Sequence, residues 1–121
     1  YYVSRLQNKE LYYSVNTSKN KFIGTVTMRE ISKYSAYFGI LIFDKKYHGS
    51  EETKIATNIF LHYCFKKLYL KSIKVVTFKK SLGANFLYLT NNFKKFKLDK
   101  KYFHFKLKKN DLLKKYNYKI F

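Results

Sequence analysis

The 121-residue sequence has no proline, no tryptophan and only one cysteine, and few of its residues are acidic. Without proline or a glycine- or serine-rich stretch, nothing marks a domain boundary, so we expect one domain over residues 1–121. The single Cys64 excludes an intrachain disulfide and a metal site made of cysteines alone. No run reaches the roughly 18 apolar residues that a membrane helix needs. These absences predict a soluble, cytoplasmic protein.

Basic residues outnumber acidic ones by 26 to 7, which gives a formal net charge of +19. Only Arg5 and Arg29 are arginines, although nucleic-acid-binding surfaces favour arginine because its planar guanidinium binds phosphate or guanine through two hydrogen bonds. The lysines could form a phosphate-binding surface. Lysine, asparagine, tyrosine, phenylalanine and isoleucine are all abundant, as an AT-rich genome would encode. We favour this compositional explanation and do not expect nucleic acid as a partner.

The hydrophobic pattern predicts strands at 11–15, 22–28, 35–43 and 72–78, and a last pair of strands within 96–105. Between the third and fourth of these strands, apolar residues recur at helical spacing, and Ser50 is a natural N-cap. The apolar stripe of this helix consists of Ile55, Ala56, Ile59, Phe60, Tyr63 and Cys64. A shorter helix is predicted around 84–91, and a helical turn at 110–115. A strand–helix–strand unit places its strands parallel, so the class is α/β or α+β with one mixed sheet.

Several segments, in this order and at these spacings, resemble the GNAT superfamily of N-acetyltransferases. They are residues 22–26, 36–42, 44–49, 63–68, 83–84, 87–88 and 92–93, and the resemblance extends from about 12 to about 108. The similarity is to the branch of ribosomal-protein N-terminal and nucleotide-amino-sugar acetyltransferases. It implies a mostly antiparallel sheet with a central splayed parallel strand pair, and a long helix after the family's fourth strand. The family's first strand and first two helices would be absent or reduced to residues 1–7, so we expect an N-terminally truncated domain.

In this family, acetyl-CoA lies where the two central parallel strands diverge. The resemblance implies that the end of the first of these strands offers backbone groups to the pantetheine arm, at Leu41, Ile42 and Phe43. The pyrophosphate would rest on free N–H groups at the N-terminus of the next helix.

The family's sequence at that helix start is only partly present. The family has Gln or Arg, two residues, Gly, one residue and Gly, whereas His48, Glu51 and Thr53 stand at the three defined positions. Glycine lets the backbone approach phosphate, and the carboxylates of Glu51 and Glu52 repel it, so we expect weakened affinity. The expected cofactor contacts are Gly49, Ser50, Glu51, Glu52, Thr53 (through its hydroxyl) and Lys54 at the helix start, and Ser81 after the second parallel strand. Lys54, Lys79 and Lys80 carry charges that could meet the CoA phosphates.

Tyr88 stands at the position of the family's general acid, which protonates the departing CoA thiolate. We expect this transfer not to be steeply uphill, because the thiolate's pKa lies near that of cysteine. The alternative is a core tyrosine on an amphipathic helix. Ser81 replaces the family's asparagine and can cap the shorter helix. Asn92 replaces a glycine, and asparagine tolerates the left-handed conformation that this turn needs.

The sequence does not identify a general base or a metal site. Glu30 is a candidate base, although a surface carboxylate explains it better. His48 and His104 lack metal-ligand spacing, and Cys64 fits a core position better than a nucleophile.

The favoured function is an acetyl-CoA-dependent N-acetyltransferase that acts on a primary amine by direct attack on the thioester. The acceptor would be a nucleotide-linked amino sugar or a protein N-terminus. A non-catalytic GNAT-like binding module is the alternative, and a basic nucleic-acid-binding domain is the weakest explanation. The acceptor and the oligomeric state are not readable from the sequence.

Overall fold

A computed structural model of the chain describes residues 2–5, for the backbone alone, and residues 10–112. Two helices pack on a sheet of seven strands. The strands are β1 (Tyr2–Arg5), β2 (Glu10–Asn16), β3 (Phe22–Arg29), β4 (Ser35–Ile42), β5 (Ser72–Phe78), β6 (Lys94–Leu98) and β7 (Tyr102–Lys108). The helices are α1 (Glu51–Leu68) and α2 (Leu82–Thr90), and short 3-10 turns occupy Lys45–Tyr47 and Lys109–Asp111. Every predicted strand and both predicted helices are therefore present.

The strand order across the sheet is β1-β2-β3-β4-β5-β7-β6. Each neighbouring pair is antiparallel except β4 and β5, which are parallel and joined by α1. This confirms the mixed, mostly antiparallel sheet with one central parallel pair.

The parallel pair is joined only at one end. β4 and β5 pair at Ser35 with Ser72, Ala36 with Ile73, and Tyr37 with Lys74, and they do not pair beyond these residues. The rest of β4 stays attached to β3, through a register that continues to Ile42 opposite Gly24. The two central strands therefore diverge toward their C-terminal ends, as predicted.

Both helices pack on the same face of the sheet. The ring of Phe38 on β4 contacts Phe60 of α1, with centroids 5.9 Å apart, and Tyr88 of α2, with centroids 6.0 Å apart. Phe38 therefore joins the two helices where the central strands separate. Cys64, also on the inner side of α1, is fully buried.

The buried side of α1 differs from the predicted stripe. Phe60 and Cys64 are buried as predicted, whereas Ile55 and Ile59 are only half-buried. The buried positions that the pattern missed are Thr53, Thr57, Asn58, Leu61 and Phe65. The Thr57 hydroxyl donates to the Thr53 carbonyl at 2.9 Å, so this polar side chain is buried with its hydrogen bond satisfied.

Three local expectations have different outcomes. β4 ends at Ile42, one residue earlier than predicted. The terminal turn forms at Lys109–Asp111, and residues 113–115 of the predicted turn lie outside the described residues. Asn92 adopts φ = 70°, which confirms the left-handed turn, and its side-chain amide donates to the Asp111 carbonyl at 2.7 Å. Over the described residues, no helix is long and apolar enough to cross a membrane.

Candidate active site

The divergence of β4 and β5 creates the gap in which the sequence predicts a ligand. In that part of β4, Leu41 is 60% exposed and the following Phe43 is 53% exposed. The Phe43 N–H donates to the Ile23 carbonyl at 2.9 Å, so the chain leaves the sheet only after Phe43. The backbone of β4 that points toward β5 has no strand partner beyond Tyr37. Such groups are available to hydrogen-bond an extended ligand.

One of the predicted backbone acceptors already has a partner. His48 Nε2 lies 2.8 Å from the Ile42 carbonyl oxygen and donates to it when that nitrogen carries the proton. His48 stands at the family's Gln or Arg position, and here its ring folds back on the end of β4. The Phe43 N–H is bonded to Ile23 and the Leu41 carbonyl lies against Gly24, so these backbone groups face β3 and not the gap. The predicted pantetheine contacts at Leu41 and Phe43 are therefore not available in this arrangement.

The start of α1 is closed by its own side chains. Ser50 Oγ accepts a hydrogen bond from the Thr53 N–H at 3.2 Å, which confirms the predicted N-cap. The Thr53 hydroxyl donates to the Tyr47 carbonyl at 2.7 Å, and Thr53 is buried. The predicted donation from Thr53 to a phosphate is therefore not available in this arrangement.

The remaining residues at the start of α1 have opposite effects on the binding of an anion. Gly49 has φ = 71°, a conformation that favours glycine, so it shapes the turn before the helix. Glu51 and Glu52 are both exposed in the first turn, and Lys54 is half-exposed beside them. The carboxylates suit the helix dipole but oppose a bound anion.

A cavity of about 360 Å³ with four lysines lies at the end of β5. It is lined by Phe78, Lys79, Lys80, Lys100 and Lys101. The Lys79 N–H donates to the Lys101 carbonyl at 2.9 Å, which holds the two loops together. The sequence predicts a phosphate contact for Lys79 and Lys80 but not for Lys100 and Lys101. Their signal was the antiparallel β6–β7 hairpin, which returns its turn to the end of β5.

The turn between β5 and α2 is held by Asn85. Ser81 is the residue before α2, but its side chain makes no capping hydrogen bond, so that prediction is wrong. Asn85 is buried, accepts a hydrogen bond from the Thr77 hydroxyl and donates to the Phe78 and Lys79 carbonyls, at 3.3 Å each. Three polar contacts from one side chain replace the missing cap.

Tyr88 lies on the inner face of α2, only 5% exposed. Its ring contacts Phe38, Phe93 and Phe105, and its hydroxyl has no hydrogen-bond partner among the described residues. Burial raises the pKa of Tyr88 from 10 to about 12, and the charge of Arg29 acts in the opposite direction. Proton transfer to a thiolate whose pKa is about 8.5 is then uphill by about 5 kcal/mol, which is steeper than expected from the sequence.

The sequence predicts no role in the site for Arg29, although it is one of only two arginines. A Cβ atom added to Gly39 would lie 2.8 Å from Thr27 Oγ1 and 4.0 Å from an Arg29 terminal nitrogen. The guanidinium therefore lies against β4 just beyond its last pairing with β5. It is a positive charge close to Tyr88, on the neighbouring strand β3.

The other candidate groups are dispersed. Glu30 is exposed, with φ = 49°, in the loop before β4. His104 lies on β7, 3.3 Å from a carboxylate oxygen of Asp99. No three histidine, cysteine or acidic side chains form a metal-binding group among residues 10–112.

Comparison with known proteins adds structural neighbours only. No family model matches the sequence, and no curated protein matches it. The N-acetyltransferase PseH from Campylobacter jejuni matches with 27% identity and a TM-score of 0.71, over 83% of this chain and 68% of that one. The chain has the GNAT N-acetyltransferase fold. A second PseH structure, 26% identical, is a complex with acetyl coenzyme A.

Two further neighbours show the same fold at lower identity. Spermidine N-acetyltransferase from Vibrio cholerae, in complex with CoA and spermine, has a TM-score of 0.75 at 22% identity, over 87% of this chain and 69% of that one. Ribosomal-protein-S5-alanine acetyltransferase from Vibrio fischeri has a TM-score of 0.76 at 19% identity, over 89% and 66%. The chain thus spans about two thirds of the length of these structures. Together the neighbours support an enzyme of the acyltransferase class.

Proposed function

We propose that this chain transfers an acetyl group from acetyl-CoA to a primary amine. The observation that carries the proposal is the one-ended pairing of β4 and β5, with the unpartnered Tyr88 hydroxyl beside Phe38 where the strands separate. The likeness to PseH, whose complex with acetyl-CoA is known, supports the same donor here.

The donor would lie along the open part of β4. The backbone groups of β4 that lie beyond Tyr37 and face the gap would hydrogen-bond the pantetheine arm. The phosphates would be neutralised by the four lysines of the cavity at the end of β5, which are Lys79, Lys80, Lys100 and Lys101. This shifts part of the phosphate binding away from the α1 start, where Glu51 and Glu52 repel anions and the Thr53 hydroxyl is already bonded.

Chemistry would follow direct attack. The amine nitrogen forms a bond to the thioester carbonyl carbon, and the carbon–sulfur bond breaks. Tyr88 is neutral at physiological pH and would donate its proton to the departing sulfur, a transfer that its pKa of about 12 makes uphill. The positive charge of Arg29 would favour the negative charge that develops there. Glu30 stays a candidate for the base that receives the amine proton.

The chemical class of the acceptor amine is a separate proposal. A nucleotide-linked amino sugar and a protein N-terminus were both expected from the sequence, and the polyamine of the Vibrio cholerae enzyme adds a third class of amine. The predicted cytoplasmic location, where acetyl-CoA is available, stays a prediction.

A second candidate is a GNAT-like module without catalysis. It is favoured by the α1 start, where the hydroxyls of Ser50 and Thr53 are bonded internally and two carboxylates are exposed.

Calorimetric titration with acetyl-CoA, followed by an assay of amine-dependent thiol release, tests the proposal. We expect saturable binding, and thiol release with at least one of an amino sugar nucleotide, spermine and an N-terminal peptide. Binding without release from any amine would favour the non-catalytic module. Absence of binding would contradict the proposed function.

A further inference from the structure

A second lysine-lined cavity, of about 440 Å³, lies at the opposite end of β5 from the first. Its lining residues are Lys71, Ser72, Lys106, Lys108, Lys109 and Asn110. Ser72 is the first residue of β5 and is part of its pairing with β4. The cavity is therefore at the closed end of the parallel pair, away from the gap assigned to acetyl-CoA.

Backbone hydrogen bonds hold the walls of this cavity in place. The N–H groups of Lys71 and Ser72 both donate to the Tyr34 carbonyl, at 2.8 and 3.2 Å. The Lys109 N–H donates to the Lys71 carbonyl at 3.0 Å, which ties the end of β7 to the start of β5.

Aromatic rings position two of the four ammonium groups. Lys71 Nζ lies 4.6 Å from the centre of the Tyr34 ring, and Lys106 Nζ lies 5.1 Å from that of Phe96. Such contacts restrict the long lysine side chains without neutralising them. A charge that is already restrained loses less entropy when it binds a ligand.

The strand register concentrates charge beside the cavity. Lys94, Lys106 and Lys74 stand directly opposite one another on β6, β7 and β5. Like charges opposite each other across strands are destabilising. Over residues 10–112, Lys94 has an ion pair with Asp111 at 3.8 Å, whereas the four cavity lysines have none. A bound polyanion would remove this repulsion.

We propose that this cavity binds the diphosphate group of a small molecule, separately from acetyl-CoA. Four lysines around one shallow pocket match the multiple charges of a diphosphate better than the single charge of a carboxylate. The lining residues include no arginine, the residue that nucleic-acid surfaces favour, so we infer a small phosphate compound and not a nucleic-acid strand. The proposal does not depend on acetyl transfer.

The test uses inorganic pyrophosphate as the probe and backbone amide NMR shifts as the measurement. We expect saturable shifts at Ser72 and Asn110, which line the cavity. The double variant Lys108→Gln/Lys109→Gln should bind pyrophosphate about tenfold to a hundredfold more weakly, because charged hydrogen-bond donors are lost. The control is the double variant Lys100→Gln/Lys101→Gln, which removes the same charge from the other cavity. It should leave the pyrophosphate-induced shifts at Ser72 and Asn110 unchanged.

Three results would overturn the proposal. Pyrophosphate shifts at Lys79 and Lys101 but not at Ser72 and Asn110 would assign the binding to the first lysine cavity and so to the acetyl-CoA site. Equal weakening by the two double variants would show attraction by net charge alone. Saturable shifts with a single-stranded oligonucleotide but not with pyrophosphate would indicate a nucleic-acid surface instead.

Discussion

The two ends of the β4–β5 pair have opposite physical characters, although they belong to the same two strands. At the closed end, Ala36 and Ile73 are paired in register and buried. At the open end, Leu41, Val76 and Phe78 are exposed, at 60%, 45% and 55%. Part of this difference is alternation along the strands, because Val75 and Thr77, on the helix-covered face at the open end, are buried. What the open end lacks is the pairing of β4 with β5 beyond Tyr37 and Lys74.

Each end also has a lysine-lined cavity, but the surroundings differ. The cavity at the open end lies between the end of β5, the loop before α2 and the turn between β6 and β7. The cavity at the closed end rests on continuous sheet and on loops fixed by hydrogen bonds to Tyr34. Two clusters of similar charge therefore differ in the elements that hold them, and on our proposals they bind different ligands.

The largest expected effect is at Tyr88, at the inner end of the gap. Tyr88→Phe should lower turnover by about 10²–10⁴-fold if the hydroxyl is the general acid, with little change in the affinity for acetyl-CoA. Stability should change little, because the hydroxyl has no hydrogen-bond partner among the described residues. Thiol-release kinetics and urea unfolding measure the two quantities. Unchanged turnover would refute the catalytic role of Tyr88.

The contrast in burial is tested by a matched pair of truncations. Ile73→Ala, at a fully buried site of the closed end, should lower the free energy of unfolding by about 2–5 kcal/mol. Leu41→Ala, at the open end, should change it by no more than about 0.5 kcal/mol. Urea denaturation of both variants checks this. Similar costs would show that the open end of β4 is packed in solution.

A pH series tests the environment of Tyr88. Its pKa is raised from 10 to about 12 on folding, so its contribution to stability is complete below pH 10 and is lost as the pH rises toward 12. The total loss is about 3 kcal/mol. Tyr88→Phe should lack this part of the alkaline destabilisation, whereas the buried Cys64, whose pKa burial also raises, affects both proteins alike. Parallel alkaline unfolding curves would contradict the burial of the hydroxyl.

The smallest expected effect concerns the carboxylates at the α1 start. Two unit charges about 5 Å apart repel by roughly 3 kcal/mol at an effective dielectric of 20, and solvent and salt reduce this for the exposed Glu51. Glu51→Gly should therefore tighten acetyl-CoA binding by up to about tenfold. Glu51→Gln isolates the charge, and Glu10→Gln removes the same charge from β2 as a control. Calorimetry that finds equal affinities would place the pyrophosphate elsewhere.

Much of the fold was predictable because the local patterns were strong. The alternation in 22–28 and 72–78 and the Ser50 cap before a helical repeat gave elements that match to within a residue or two. The buried side of α1 was less predictable. Burial of Thr57 depends on its hydrogen bond to the Thr53 carbonyl, which hydrophobic periodicity does not report.

The candidate site was predictable only in part, since its contacts join distant segments. The position of Tyr88 in the chain was readable, but the burial that raises its pKa comes from Phe38, Phe93 and Phe105 on other elements. The approach of Arg29 to Gly39 depends on the β3–β4 register. The roles of the site residues stay predictions.

Because Cys64 is buried, its reaction with a thiol reagent would report the separation of α1 from the sheet. It is the only thiol in the chain, and it lies where α1 meets the sheet. A colour-forming thiol reagent in the release assay should therefore see only liberated CoA while the protein is native. When α1 separates from the sheet, Cys64 would also react and add one equivalent of signal per unfolded chain. The same assay therefore distinguishes CoA release from denaturation.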